Sequence, residues 1–504
     1  MSKEELVVGL DSSTTATKAI AWRRNGSIAG TGRARIGLAR LSNNRFEQDA
    51  EDWWLSASTA LRELGTQVDP GTIVAIAISN QRETFVPLGA DCRPVRPAIV
   101  WLDQRCEEEV AWLAGCIGHE RIHRISGKPP DMGPVAYRIA WMMRNEPQLF
   151  RQSRMFADVH TYLAWRLTGE FRTSWASADP LGLFDLECKR WSPEILEALE
   201  LSAEQLPQTF VPGSVIGKVT AAAAGEAGLC PGTKVVAGGG DGQAAGLGAH
   251  TLNPETAYLN LGTAVVSGVY SREYRIGLPW RTMGSCTGEG YYLETSLRSG
   301  SMLMDWFAHD ICGSSSNATL HAQLEEEAKQ IPIGSEGLLA LPYWGAVMTP
   351  YWDADARGCF VGLSSSHRRA HLYRALLEGI ALEQALVTGM IEEATGQPIK
   401  AFQAIGGGAA NDLWCQIMAD ASGKVVRRSS SVEASSLGVA LCAAVAAQWF
   451  NGFREAAEAM CSQEFRETAP QVDYQQRYCE LMAVYRELYP NLKHTFKKLA
   501  KWRG

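Results

Sequence analysis

No stretch of this 504-residue sequence stays apolar long enough to cross a bilayer. The longest such run, residues 438–450, is about thirteen residues, against the roughly 20 that a spanning helix needs. The opening residues, MSKEELVVGLDSS, lack the basic segment and apolar core of a secretory leader. The twelve cysteines are widely spaced and include no CxxC pair, which argues against a zinc ribbon or a disulfide framework and for a reducing compartment. Positive charge is not in surplus either. A formal net charge of −7 argues against nucleic acid, and the single basic run, HTFKKLAKWRG, is too short to reverse that. Low-complexity segments are absent. The expectation is a cytoplasmic protein with a small-molecule ligand and neither a membrane nor a nucleic-acid partner. A homodimer is left open.

What is present is ordinary globular composition, 46% hydrophobic and 20% charged, in a chain too long for one core. Short apolar strands alternate with helical periodicity, an α/β pattern with a mixed sheet. Residues 6–10 and 19–22 read as strands, the turn Arg24-Asn25-Gly26 returns a third, residues 49–64 read as a helix, and residues 73–79 as a further strand. From residue 258, YLNLGTAVVSGVY repeats the opening logic of strand, polar loop, strand. Residues 400–405 and 412–422 then read as a strand and a helix. The expected domains are therefore residues 1–249 and 250–504, two distant copies of one fold. The end of the chain, residues 489–504, reads either as a helix closing the first domain's surface or as a tail.

Six segments carry chemistry. In residues 234–250, KVVAGGGDGQAAGLGAH, a short strand runs into three glycines and then Asp241. An ionised carboxylate among small residues is costly to bury without a partner or a task. Asp241 either takes a proton from a hydroxyl of a bound small molecule or caps the helix that follows. Between the first two strands, Asp11, Ser13, Thr14 and Thr15 offer hydroxyls and backbone N–H groups to phosphate oxygens. Asp11 is placed to hold magnesium through water, and Lys18 to reach a phosphate as a mobile charge. Gly262 and Thr263 offer the same chemistry from the second unit, and Gly406-Gly407-Gly408 a flat ledge for a base or ribose. Finally, Asn80-Gln81-Arg82-Glu83 and Trp101-Leu102-Asp103-Gln104-Arg105 combine long polar side chains with an aromatic face, which suits a polyhydroxylated ligand or, equally, a surface ion-pair cluster.

Two patterns mislead. Gly240-Asp241-Gly242-Gln243-Ala244-Ala245 matches a dinucleotide fingerprint, but it lies mid-chain, and Asn260 rather than an acid stands some twenty residues on. His119-Glu120-Arg121-Ile122-His123 matches HExxH, yet its extended form fails at Ser126 and Pro129, and Arg121 and Arg124 add positive charge where a cation would sit.

Seven segments in order resemble the FGGY family of carbohydrate kinases: GLDSSTTATKA, SNQRETF, AIVWLDQR, GGGDGQAAGLG, PYWDADARGCFVGL, GGGAANDLWCQIMAD and SSVEASSLGVALCAA. The resemblance implies an α/β fold of two actin-like (ribonuclease H-like) domains with ATP and sugar in the cleft between them. It implies transfer of the γ-phosphate of MgATP to a sugar or polyol hydroxyl. It makes Asp241 the general base, and puts Asp11, Ser13, Thr14, Thr15 and Lys18 in the first phosphate loop, Asp11 and Asp241 being nearest the Mg2+. Gly262 and Thr263 fall in the second loop, and Gly407, Gly408 and Asn411 line the nucleotide. Gln81, Arg82, Glu83, Trp101, Asp103 and Gln243 face the sugar. SNQRET and AIVWLDQR resemble the glycerol kinase branch, which has Gly in place of Ser13 and a Tyr near residues 132–134. DSSTTATK and PYWDADARG resemble the xylulose kinase branch, which carries Met/Gln-His-Gly in place of Gln81-Arg82-Glu83. A ketopentose is the expected acceptor, with glycerol or a four-carbon polyol as the alternative. An actin-like ATP sensor without kinase activity is the alternative from another class.

Overall fold

Two sheets built on one plan organise the chain. In the computed structural model, which describes residues 4–313, 317–429, 433–462 and 464–502, the first sheet contains β1 (Leu6–Ser12), β2 (Ala16–Trp22), β3 (Ile28–Arg35), β4 (Ile73–Asn80), β5 (Val215–Lys218) and β6 (Lys234–Gly240). Residues 430–432, at the head of the SSVEASS segment, fall outside the described residues. The strand order is β5-β6-β4-β1-β2-β3, with β1 antiparallel to β2 and parallel to β4, and β4 parallel to β6. The second sheet contains β7 (Thr256–Leu261), β8 (Val265–Ser271), β9 (Arg281–Gly284), β10 (Tyr291–Leu297), β11 (Ala401–Ile405), β12 (Val425–Ser429) and β13 (Phe465–Thr468), ordered β9-β10-β8-β7-β11-β12-β13. Here β7 is antiparallel to β8 and parallel to β11, and β11 is parallel to β12. The shared plan is the duplicated α/β fold that the sequence suggested.

The parallel strands are near-continuous apolar runs because helices cover both faces. On one face of the first sheet lie the Ala50–Gly65, Val159–Thr168 and Ala221–Ala227 helices. Asp49 starts the first of these by accepting the Glu51 amide, and its inner side buries Trp53, Trp54, Leu61 and Leu64. The other face is covered from far down the chain, by the Ala434–Ala446 and Phe453–Met460 helices. The long apolar run of the sequence belongs mostly to that buried helix, and among the described residues no helix is long and apolar enough to cross a membrane. The Ala434–Ala446 helix crosses the Asp241–Gly248 helix with backbones almost touching: a Cβ on Gly438 would stand 1.8 Å from the Ala244 carbonyl oxygen.

The end of the chain departs from both readings offered for it. Val472–Ala500 is a helix, but it closes the second unit rather than the first. Tyr478, Tyr485 and Tyr489 are buried there and donate their hydroxyls to Glu378 (2.9 Å), Glu383 (2.6 Å) and Asp353 (2.7 Å).

In each sheet the three parallel strands end at one edge: Ser12, Asn80 and Gly240 in the first, Leu261, Ile405 and Ser429 in the second. Open α/β sheets bind ligands outside the carboxyl ends of their strands. Ala245, in the helix that leaves the first edge, packs with Ile405 at the second, and Lys18 beside the first edge pairs with Glu433, at the head of the helix that covers the first sheet.

Candidate active site

Asp241 is the first residue of the Asp241–Gly248 helix, and the N-cap position is Gly240, which has no side chain to offer. Its Oδ1 accepts the Gly242 amide at 2.7 Å and lies 3.1 Å from Arg82 Nε. The side chain keeps 43% exposure, so a ligand can reach it. Lost hydration nevertheless raises its pKa above the carboxylate norm, against the pull of Arg82 and with the help of Glu83 and Glu294. The flanking glycines have a steric reason. A Cβ on Gly240 would stand 2.5 Å from Arg82 Cγ, and one on Gly242 would stand 2.9 Å from the guanidinium carbon, so only glycine lets Arg82 lie against this turn.

Arg82 is also held from the second unit. Its Nη1 donates to both oxygens of Glu294 (3.0 and 2.9 Å), which is fully buried on β10. Arg281 on β9 donates Nε to Glu294 at 2.7 Å and Nη1 to Glu83 at 2.8 Å, and Tyr258 on β7 donates its hydroxyl to Glu294. Burial alone would raise the Glu294 carboxyl; Arg82 and Arg281 outweigh it and hold it down at about 2. Glu83 adopts a left-handed backbone (φ 51°), a conformation that surroundings must impose on a non-glycine residue.

At the first loop, Asp11 Oδ1 accepts the Ser79 hydroxyl at 2.7 Å. Burial raises its carboxyl from 3.8 to about 6, and the Asp241 charge adds to the rise while Ser79 and Lys18 oppose it. Ser13 turns its hydroxyl back to the Ala16 carbonyl (2.8 Å), Thr14 accepts the Trp101 indole N–H (2.9 Å), and Thr15 is exposed. Lys18 is paired here, both Glu433 oxygens taking its ammonium at 2.8 Å. A phosphate there competes with Glu433.

At the second edge, Gly262 is partly exposed and Thr263 exposed, while Gly406 (φ 82°), Gly407 and Gly408 turn the chain after β11. Gly406 and Gly408 are sterically obligatory: Cβ atoms there would stand 2.4 Å from Asn260 Oδ1 and 2.5 Å from the Trp414 ring. Gly407 faces open space. Asn411 caps the Asp412–Ser422 helix by accepting the Trp414 amide at 2.8 Å.

Three residues expected to face a sugar are committed elsewhere. Gln81, 1% exposed, donates to Gln48 at 2.9 Å. Asp103, also 1% exposed, gives both oxygens to Arg105 and one of them to the Phe46 amide. Gln243 is wholly buried and donates to the Ala176 carbonyl and Asp179. Their place is behind the surface of the site. Arg82, Glu83 and Asp241 do converge, and Trp101, 39% exposed, sits above Thr14. The sequence reading missed Glu294, Arg281, Tyr258 and Glu433. A lone acid inside the otherwise uncharged strand YYLETSL was the available signal for Glu294.

The HExxH segment forms the His119–Ser126 helix, where Arg121 pairs with Glu194 and burial lowers His123 to about 4. Among the described residues no cluster of three or more His, Cys, Asp or Glu is arranged to ligate a metal. Asp11 and Asp241 nevertheless suit magnesium, which takes one or two carboxylates and completes its shell with water and substrate phosphate oxygens. Both are hard oxygen donors held above their ordinary pKa, a state that a nearby cation would relieve.

The chain is similar to known proteins in sequence and in fold. The model of the FGGY family of carbohydrate kinases, N-terminal domain, matches residues 6–248, and that of the C-terminal domain matches residues 257–447. A xylulose kinase of Escherichia coli (strain K12) is 31% identical over 88% of this chain and 90% of its own length. A glycerol kinase of Thermococcus kodakarensis is 28% identical over 99% of this chain and 98% of its own. The crystal structure of ligand-bound xylulose kinase from Lactobacillus acidophilus has a TM-score of 0.92 to this chain, covering 98% of it and 100% of the other at 23% identity, which is a likeness of fold.

Proposed function

The chain belongs to the FGGY family of carbohydrate kinases and is a phosphotransferase with an alcohol group as acceptor, and from that premise we propose that it transfers the γ-phosphoryl group of ATP to a hydroxyl of a ketopentose. The boundary between its two domains falls near residue 250 in this reading. The observation that carries the reading is the convergence of Asp241, Arg82 and Glu83 beyond the carboxyl ends of the first sheet.

Asp241 is the general base. Its raised pKa brings it closer to the working pH, which favours acceptance of the hydroxyl proton as the oxygen attacks. Arg82 Nε keeps the carboxylate oriented. Glu83 and the free edge of Arg82 hold acceptor hydroxyls, and the Trp101 ring offers a face for C–H groups. The loop at Ser13, Thr14 and Thr15 and the loop at Gly262 and Thr263 present backbone N–H groups to the phosphates, and Gly407 and Gly408 give the base and ribose a flat support. Lys18, released from Glu433, steadies the transferring phosphoryl group. Asp11 and Asp241 would hold Mg2+, which when bound spreads the charge of the phosphates.

Xylulose kinases among the full-length relatives support the ketopentose. One observation favours a second reading, glycerol or a four-carbon polyol: Arg82 and Glu83, adjacent in the chain beside Asp241, offer a donor and an acceptor suited to adjacent hydroxyls of a short acceptor. ADP release from MgATP is the test, comparing kcat/KM over xylulose, ribulose, erythritol and glycerol. A ketopentose preference sustains the first reading and a glycerol or erythritol preference the second. Silence with every acceptor defeats both.

A further inference from the structure

Three carboxylates (Asp241, Glu83, Glu294) and two guanidiniums (Arg82, Arg281) form one connected chain of ion pairs running from the first unit into the second. Four of the five are less than a tenth exposed. Such a network is weak evidence of stabilisation, because well-packed apolar residues of similar volume often do as well or better. Its geometry points to another purpose. Glu294 takes Arg82 by Nη1 and Asp241 takes it by Nε, while Arg281 takes Glu83 by Oε1. Among the described residues no protein group takes Arg82 Nη2 or Glu83 Oε2. The network thus leaves one two-proton donor and one acceptor atom unspent beside the base.

We propose that Glu294 and Arg281, both carried by the second sheet, are positioning residues that fix Arg82 and Glu83 so that Nη2 and Oε2 meet two hydroxyls of the acceptor. The inference rests on the kinase reading above and deepens it: the acceptor site is assembled from both units although only the first touches the acceptor. Glu83, whose backbone φ is left-handed, is held at its carboxylate by Arg281 and at its carbonyl by Arg138. Without Glu294, Arg82 is free to swing both nitrogens onto Asp241, and the acceptor loses its donor.

The test is steady-state kinetics of Glu294→Gln and Arg281→Met, with KM for acceptor and for MgATP measured separately. A charged hydrogen bond lost to misplacement corresponds to roughly 10- to 100-fold. Acceptor KM is expected to rise by about that factor in both variants while KM for MgATP stays within about threefold. Arg281→Lys is expected to recover part of the loss. A deoxy acceptor lacking one gripped hydroxyl, poor with the unaltered enzyme, should be no worse relative to the parent acceptor in Glu294→Gln. Should Glu294→Gln fail to fold, Tyr258→Phe, which removes one donor to Glu294, gives the same comparison at smaller amplitude. Unchanged acceptor KM in variants with lowered Tm would overturn the proposal, leaving the network as structural glue. Equal rises in both KM values would overturn it too, by making the network a determinant of domain association. If the unaltered protein shows no acceptor-stimulated ADP release, the kinase reading itself has failed. If it does, and the variants are flat, only this inference has.

Discussion

The carboxyl edges of the two sheets occupy matching places in a duplicated fold and are chemically opposite. Asp11 in β1 stands beside Ser79 in β4; the matching pair in the second sheet, Asn260 in β7 and Ile405 in β11, carries no charge. Beyond the first edge lie Asp241, Arg82 and Glu83, and beyond the second lie Gly262 and the Gly406–Gly408 turn. The second unit lends two of its charges, Glu294 and Arg281, to the first, and keeps the Arg428–Asp412 ion pair beside its own glycine turn. In the kinase reading proposed above, the first edge serves proton transfer and the second a bulky ligand. Charge and open space are both costly to maintain, and placing them on separate sheets lets each be shaped without compromising the other.

The largest expected break in this comparison comes from the base. Asp241→Asn should cut acceptor-dependent turnover by about 10²- to 10⁴-fold while MgATP still binds, checked by coupled ADP release and by nucleotide titration. Asp11→Asn follows, with a turnover loss expected at about tenfold or more and a second, opposite signature. The Asp11 carboxyl is raised in the folded protein from 3.8 to about 6. A raised folded-state pKa gives stability that is full below the unfolded value and lost as pH rises through the folded one. The variant should therefore melt a few degrees higher than the unaltered, magnesium-free protein at pH 8 and about equally at pH 4, read by thermal denaturation at the two pH values.

Gly438→Ala sharpens the comparison by sparing both edges. Its Cβ would stand 1.8 Å from the Ala244 carbonyl, so backbone must shift where the two helices cross, at a cost of about 1–3 kcal/mol seen as a lower Tm. The smallest effect on the fold is expected at Gly407, which faces open space. Gly407→Val should leave Tm within about a degree and raise KM for MgATP about tenfold by occupying the ledge.

What was legible in the sequence is what is local. Asp241 after three glycines, Arg82-Glu83 after a strand, and the paired strand–loop–strand units each announce themselves within about ten residues. What stayed hidden depends on contacts that no local pattern records. Glu294 and Arg82 are 212 residues apart, Arg281 and Glu83 are 198 apart, and Lys18 and Glu433 are 415 apart. Gln81, Asp103 and Gln243 belong here for the same reason: they are buried and bonded to Gln48, Arg105 and Asp179, partners that only the fold brings near. The last helix was hidden differently. Its inward tyrosines at 478, 485 and 489 do follow a helical face, but that face does not say which unit it covers.

The central claim is the division of labour between the edges, and calorimetric titration of acceptor and of MgATP into Glu83→Gln and Gly407→Val tests it most directly. The account predicts that Glu83→Gln weakens the acceptor by about tenfold or more and MgATP by less than about threefold, and that Gly407→Val does the reverse. If either variant weakens both ligands equally, the two edges do not divide the work and the account is wrong.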